Sequence, residues 1–248
     1  MEVRHIQKVE RKLGVASTVK FDDFLPQYTE GVQRFLRDNS SLGEDWVRQA
    51  GEKLYSLQGK NKEGDLLGSS TDVGVAIATF TDIPLIRGEQ LLELYKQAGD
   101  KNPFGSVYID FGANINGNPN TNPFQAELLL KDFKKRGIKI GDGRVPDLVQ
   151  LRLIASPEAG LAYKLADGVT ADNIALVSAY PFRKEWIGKN GLFRAYLDRD
   201  GWGAIDADLA DFYDDGRVVR YDAKGVVAPK KSPKDLAGTL TEEFMKRF

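Results

Sequence analysis

The stretch Asp72-Val-Gly-Val-Ala-Ile-Ala-Thr-Phe80 decides how this chain is read. Alternation puts Val73, Val75, Ile77 and Thr79 on one face and Gly74, Ala76, Ala78 and Phe80 on the other. Both faces are apolar or small, which predicts an interior strand covered on both sides. The polar loop Gly59-Lys-Asn-Lys-Glu-Gly64 precedes it. Further upstream, residues 29–37 and 42–57 read as helices. In the second, Trp46, Val47, Ala50, Leu54 and Tyr55 recur at three- and four-residue steps, with Ser41 as the N-cap. Residues 1–20 read as a short helix or an irregular arm.

Downstream, residues 88–98 form a helix that Gly99 ends. Residues 106–111 (Ser-Val-Tyr-Ile-Asp-Phe) read as a second strand, and 112–122 as an Asn- and Gly-rich turn. Asn122 caps a helix with Pro123 at its first position, stopped by Gly137. Residues 149–153 alternate as a strand with one wet face. Residues 157–166 suit a helix or a hairpin, and periodicity does not assign 174–180. Residues 192–198, 217–222 and 226–228 read as strands between Gly turns. The expected fold is α+β: one compact domain over 1–228 with a central mixed sheet. It is helical over 21–57, mixed over 72–155 and strand-rich over 174–228. A basic linker and a C-terminal amphipathic helix occupy 229–248. A sustained βαβ alternation is missing, so a Rossmann-type sheet is not expected.

Composition narrows the chemistry. There is no cysteine, so thiolate nucleophiles, disulfides, Fe–S clusters and Cys-type zinc sites are excluded. The single histidine, His5, sits at the very start, where a catalytic role is not expected. Any catalysis must run on Asp, Glu, Lys, Arg, Tyr, Ser or Thr, and any metal would be Mg²⁺ or Ca²⁺ held by oxygen. With 35 basic and 36 acidic residues the net charge is −1, which gives no global field to attract nucleic acid or anionic lipid. No apolar run approaches the ~18–20 residues of a membrane span, and the first residues lack a secretory h-region. The expected location is the cytoplasm, or a virus particle.

The densest carboxylate cluster is Tyr196-Leu-Asp-Arg-Asp-Gly-Trp-Gly-Ala-Ile-Asp-Ala-Asp208, followed by Asp211, Asp214 and Asp215. Three readings stand. Asp198, Asp200 and Asp206 resemble positions 1, 3 and 9 of an EF-hand loop, with Gly203 at 6 and Ile205 at 8. Trp202 at position 5 and Leu209 at position 12 depart from it. A cation held there by Asp198, Asp200 and Asp206 would be bound weakly. Asp198-Arg-Asp200-Gly201 also resembles the first motif of the haloacid-dehalogenase superfamily, which implies Asp198 as nucleophile and Asp200 as general acid and base. That superfamily begins with this motif, whereas here about fifty residues remain after it. The third reading is a hairpin turn joining a strand at 192–197 to one near 204–205.

Asp110 lies inside the apolar run Val107-Tyr-Ile-Asp-Phe111, and Phe212-Tyr-Asp-Asp215 precedes Val218-Val219. An Asp on one strand and an Asp pair at a hairpin resemble the two-metal arrangement of polymerase palms. Alternatively, Asp110 faces solvent or pairs with a surface Arg or Lys. The glycine-bounded loops 141–144 and 188–191 could cradle an anion but read more simply as turns. Lys131, Lys134, Lys135 and Arg136 complement the negative end of their helix.

Behind Pro229-Lys-Lys-Ser-Pro233, Leu236, Leu240, Phe244 and Phe248 stand at four-residue steps. Such a stripe docks on its own domain, on another copy or on a protein partner. Taken together, the expectation is a soluble binding or assembly protein, a homo-oligomer component that self-associates or binds a protein through this helix. The alternative is a Mg²⁺- or Ca²⁺-dependent phosphoryl-transfer or hydrolytic enzyme using Asp110, Asp198, Asp200, Asp214 and Asp215.

Overall fold

The computed structural model describes residues 15–141, 143–210 and 215–222. Strand β1 (Val15–Thr18) leads into helix α1 (Phe21–Asp38), a 3-10 turn (Ser40–Leu42) and helix α2 (Glu44–Ser56). Helices α3 (Thr71–Phe80) and α4 (Gly88–Gln97) follow, then strand β2 (Ile109–Asn116) and helix α5 (Pro123–Lys135). After β3 (Arg144–Val145) and a 3-10 turn (Leu148–Gln150) come β4 (Leu151–Ser156) and β5 (Gly160–Leu165). The chain continues through β6 (Ala175–Leu176), a 3-10 turn (Val177–Ala179), β7 (Phe182–Ile187), β8 (Gly191–Leu197), β9 (Trp202–Ala204) and β10 (Val219–Asp222). The class is α+β. Ala16–Tyr221 is one compact unit; of the second, Met1–Val15 with Asp222–Phe248, only the two residues Val15 and Asp222 are described. The linker, the stripe Leu236, Leu240, Phe244 and Phe248, and the strand expected at 226–228 lie outside the described residues.

Residues 72–80 are helix, not strand. The alternation argument fails because a segment apolar on every side serves equally as a fully buried helix. Thr71 to Ile77 are all buried. Ser70 starts the helix, its Oγ accepting from the Val73 amide at 3.2 Å. The small residues serve close approach. A Cβ on Gly74 would lie 2.3 Å from Leu148 Cδ1, and one on Gly31 of α1 only 2.5 Å from the Phe80 carbonyl oxygen. Thr79 Oγ1 accepts from the Leu153 amide at 2.9 Å, so α3 also closes the outer edge of β4.

Three other boundaries move. Helix α1 begins at Phe21 and passes through Pro26, held by Phe24, Tyr28 and Val32, buried at four-residue steps. Helix α2 is entered through Gly43 at φ 102°, not capped by Ser41. Strand β2 continues to Asn116 through residues expected to be a turn. Gly112 there allows the backbone of Pro146 to approach, since a Cβ would sit 2.5 Å from its carbonyl oxygen. Residues 157–166 resolve as the β4–β5 hairpin, whose outer edge α5 closes. Asp132 Oδ2 accepts from the Leu165 amide at 2.8 Å, and Arg136 donates to the Leu165 carbonyl at 2.9 Å.

The main sheet runs in the order β6-β3-β2-β8-β9-β7, antiparallel except where β7 and β9 run parallel. An irregularity between Asp110 and Gly112 shifts the register of β2 against β8. Such a bulge reverses which face later side chains take. Ile109 and Phe111 accordingly join the core cluster around Trp202, while Ala113 and Ile115 join the larger cluster with α1, α2 and α3. Asp110, ahead of the bulge, faces away from Ile109 and Phe111 by ordinary alternation and lies beside Ser69, just before α3.

Candidate functional site

Strands β8 and β9 are joined by Asp198-Arg-Asp-Gly201. The Asp198 amide donates to the Gly201 carbonyl at 3.0 Å. Asp198 Oδ1 accepts from the amides of Asp200 at 2.7 Å and Gly201 at 2.9 Å. Gly201 sits at φ 130°, which disfavours other residues. Strands, not the helices of an EF-hand, flank this loop, and its carboxylate organises the turn. Trp202, at the loop position where a calcium site needs an oxygen donor, is buried at 1% exposure. Leu209, where the bidentate Glu belongs, is also buried, and its carbonyl accepts from the Asp72 amide at 2.9 Å.

Asp206 belongs to a different construction. Its Oδ1 accepts from the Asp208 amide at 3.0 Å and its Oδ2 from Arg194 Nη1 at 2.9 Å. Asp198, Asp200 and Asp206 thus share a neighbourhood but are not arranged as a ligand set. Among the described residues no group of three or more His, Cys, Asp or Glu side chains is placed to hold a metal. Millimolar to tens-of-millimolar Ca²⁺ should therefore leave the melting temperature where matched NaCl leaves it. A saturable, calcium-specific rise would restore the loop as a cation site.

Beneath the turn lies an arrangement the sequence reading missed. Arg194 has a side chain 0% exposed and Asp110 one 1% exposed. Arg194 donates Nε to Asp110 Oδ1 at 2.9 Å and Nη2 to Asp110 Oδ2 at 2.8 Å, a two-pronged pair. Its Nη2 also donates to the Ser69 carbonyl, and the Asp110 amide donates to Ser69 Oγ at 2.6 Å. Burial alone would pull the guanidinium pKa down; the Asp110 carboxylate outweighs this and leaves it raised. The Tyr108 ring lies over the guanidinium at 4.9 Å, and Tyr196 stacks on Tyr108 at 4.7 Å between centroids. Tyr196 in turn covers Gly203, where a Cβ would meet its ring at 2.4 Å. An Asp and an Arg each standing in an apolar strand, Ile109-Asp-Phe111 and Phe193-Arg-Ala195, was the one available signal. Reading it as a pair required the β2–β8 register.

Above this floor is a cleft of about 430 Å³ lined by Ser106, Tyr108, Tyr196, Asp198, Arg199, Asp200, Asp206 and Asp215. Of the carboxylates expected to act together, Asp198, Asp200 and Asp215 meet here with Asp206. Asp110 does not line the cleft; both its oxygens face Arg194. Asp214 lies outside the described residues. Partial burial raises the pKa of Asp198 against the pull of the turn amides. Elsewhere, Gly143 and Gly191 take positive φ at 66° and 126°, as turn residues do, and the Arg136 guanidinium is engaged with Asp132 and β5. No helix among the described residues is long and apolar enough to cross a membrane. Comparison of the chain with protein-family models, with curated proteins and with solved structures finds no match.

Proposed function

We propose that this chain is a binding protein and that the cleft over Tyr108 and Tyr196 receives a small organic cation. One observation carries the reading: Asp198, Asp200, Asp206 and Asp215 line one concave site in which Arg199 is the basic lining residue. The Arg194 charge beneath them does not cancel this excess, because Asp110 already balances it. A cleft lined by one sign of charge concentrates counter-ions. Its size falls within the ~300–1,000 Å³ of small-molecule sites. The two tyrosines act as a wall, since Tyr108 lies between Arg194 and Tyr196, and Tyr196 covers Gly203. Phosphoryl transfer or hydrolysis built on Asp110 lacks comparable support, because that carboxylate is held by Arg194 away from the cleft.

The test is thermal denaturation of the full chain with putrescine or spermidine against NaCl of equal ionic strength. A ligand at ten times its Kd stabilises by ~1.4 kcal/mol. For a chain of this size that raises Tm by ~3–6 °C. The double substitution Asp198→Asn/Asp215→Asn should remove most of the rise. If neither amine moves Tm beyond the salt control, the cleft is not a cation site.

A further inference from the structure

The β4–β5 hairpin sets two cations face to face. Leu151, Leu153, Tyr163 and Leu165 join the core, and the intervening pair, Arg152 opposite Lys164, stands on the other face. Like charges directly opposite one another destabilise an antiparallel pair. Among the described residues neither cation is in an ion pair within 4.0 Å. Lys164 is exposed and can be hydrated, but Arg152 is half-buried. Its Nη1 donates to the carbonyls of Val149 at 2.9 Å and Leu151 at 2.7 Å, which holds the guanidinium in place. Its Nε and Nη2 have no acceptor among the described residues. A guanidinium edge with two N–H donors side by side is what grips two oxygens of one oxyanion.

Both cations line a hollow of about 610 Å³, with Asp167 as its acidic residue. Burial outweighs the attraction of Asp167 and leaves the Arg152 pKa below its ordinary value, so the charge is under-compensated. The carbonyl end of α1 borders the hollow but does not occupy these donors, since Asn39 Nδ2 serves the Phe35 carbonyl at 2.8 Å. Phe35, Ile154 and Ala155, all only partly buried, give the hollow apolar walls. We propose that it binds the carboxylate of a small organic acid, gripped by Nε and Nη2 of Arg152, with Lys164 as the second positive group. Two cations and one carboxylate leave a single positive charge, which a monoanion balances and a phosphate dianion exceeds. A planar carboxylate also matches the planar guanidinium edge. The apolar walls suit a hydrocarbon body better than a bare ion.

The test is a ligand-observed NMR titration of the full chain with benzoate, at constant ionic strength set by NaCl. Saturable binding is expected. Benzamide, the uncharged analogue, should show none, and phenyl phosphate should bind more weakly than benzoate. Arg152→Lys keeps the charge but loses the two-donor edge, and should weaken benzoate binding about tenfold. Lys164→Gln, at an exposed position, should weaken it about threefold. Circular dichroism and Tm of each variant report whether the fold is intact. If Arg152→Lys does not fold, Lys164→Glu decides instead, and it should abolish binding by reversing the second charge. The proposal is overturned if benzoate does not saturate, or if its affinity is indifferent to the substitutions. Benzamide binding as tightly as benzoate would make the hollow a merely apolar site and overturn it too. Phenyl phosphate as the tighter ligand would overturn the assignment to carboxylates.

Discussion

Arg194→Ala should lose ~3–5 kcal/mol of folding stability, a large part of what a domain of this size possesses. The guanidinium is fully buried and Asp110 nearly so, at 0% and 1% side-chain exposure. Removing the cation leaves Asp110 with its Ser69 contact and no counter-charge. The cost is that of an uncompensated buried carboxylate, more than the worth of the pair itself. Arg194→Lys should fare little better, because a point ammonium cannot satisfy both Asp110 oxygens, Asp206 and the Ser69 carbonyl together. Replacing both members, Arg194→Met with Asp110→Leu, should recover most of the loss, since Asp206 is 22% exposed and can be hydrated. The pH dependence has a definite sign. Burial raises the Asp110 carboxyl above its ordinary 3.8, and without Arg194 nothing comparable opposes that rise. A carboxyl with a raised folded-state pKa adds stability below its unfolded pKa and loses it as pH climbs through the folded one. The penalty of Arg194→Ala should therefore shrink as pH falls toward 4. Urea midpoints at neutral and mildly acidic pH measure both effects. A loss under ~1 kcal/mol at neutral pH would show that water reaches Asp110.

How legible this was in the sequence depends on what each element needed. Helix α5 was legible because Pro123 and Gly137 mark its ends, whatever surrounds it. Asn122 stands at the N-cap position, but its side chain does not cap the helix and donates instead to the Leu192 and Ala207 carbonyls. The turn at Asp198–Gly201 was legible for the same reason: a side chain capping nearby amides is a local interaction. Helix α3 was not, because a run of Val, Ala, Ile and Gly is apolar in every periodicity, and only its packing against Leu148 and Gly31 selects helix. The extension of β2 through Gly112, Asn114 and Asn116 was hidden likewise. Those residues have low strand propensity, yet the neighbouring strands β3 and β8 supply their pairing. The Arg194–Asp110 pair depends on register. Asp110 is opposite Tyr196, and Arg194, two residues from Tyr196 along β8, shares that face. A pattern read along one strand contains no information about which residue of another strand stands opposite.

The remaining large effect separates a turn made for a ligand from one made for the core. Trp202→Ala should lose ~3–5 kcal/mol. Its ring lies 5.2 Å from Phe111, 5.5 Å from Tyr95 and 5.6 Å from Tyr180 between centroids, and the side chain is among the largest fully buried ones. Truncation would open a cavity bounded by strands β2, β8 and β9 and by α4, elements unable to collapse into it together. Trp202→Phe should cost much less. It keeps the aromatic packing and removes the indole N–H, a buried donor with no hydrogen-bond partner. Asp200→Asn, two residues earlier, should change stability by no more than ~0.5 kcal/mol, because its carboxylate is exposed and its pair with Arg199 at 3.4 Å is a surface contact. Guanidinium denaturation of the three variants, with near-ultraviolet circular dichroism reporting the aromatic cluster, orders these effects. The expected order assigns the turn's structural purpose to placing Trp202, with the carboxylates at its tip left available to the cleft. If Asp200→Asn proved the costlier change, the tip itself would be the anchored element, and a cleft that counts on an unanchored Asp200 carboxylate would lose its basis.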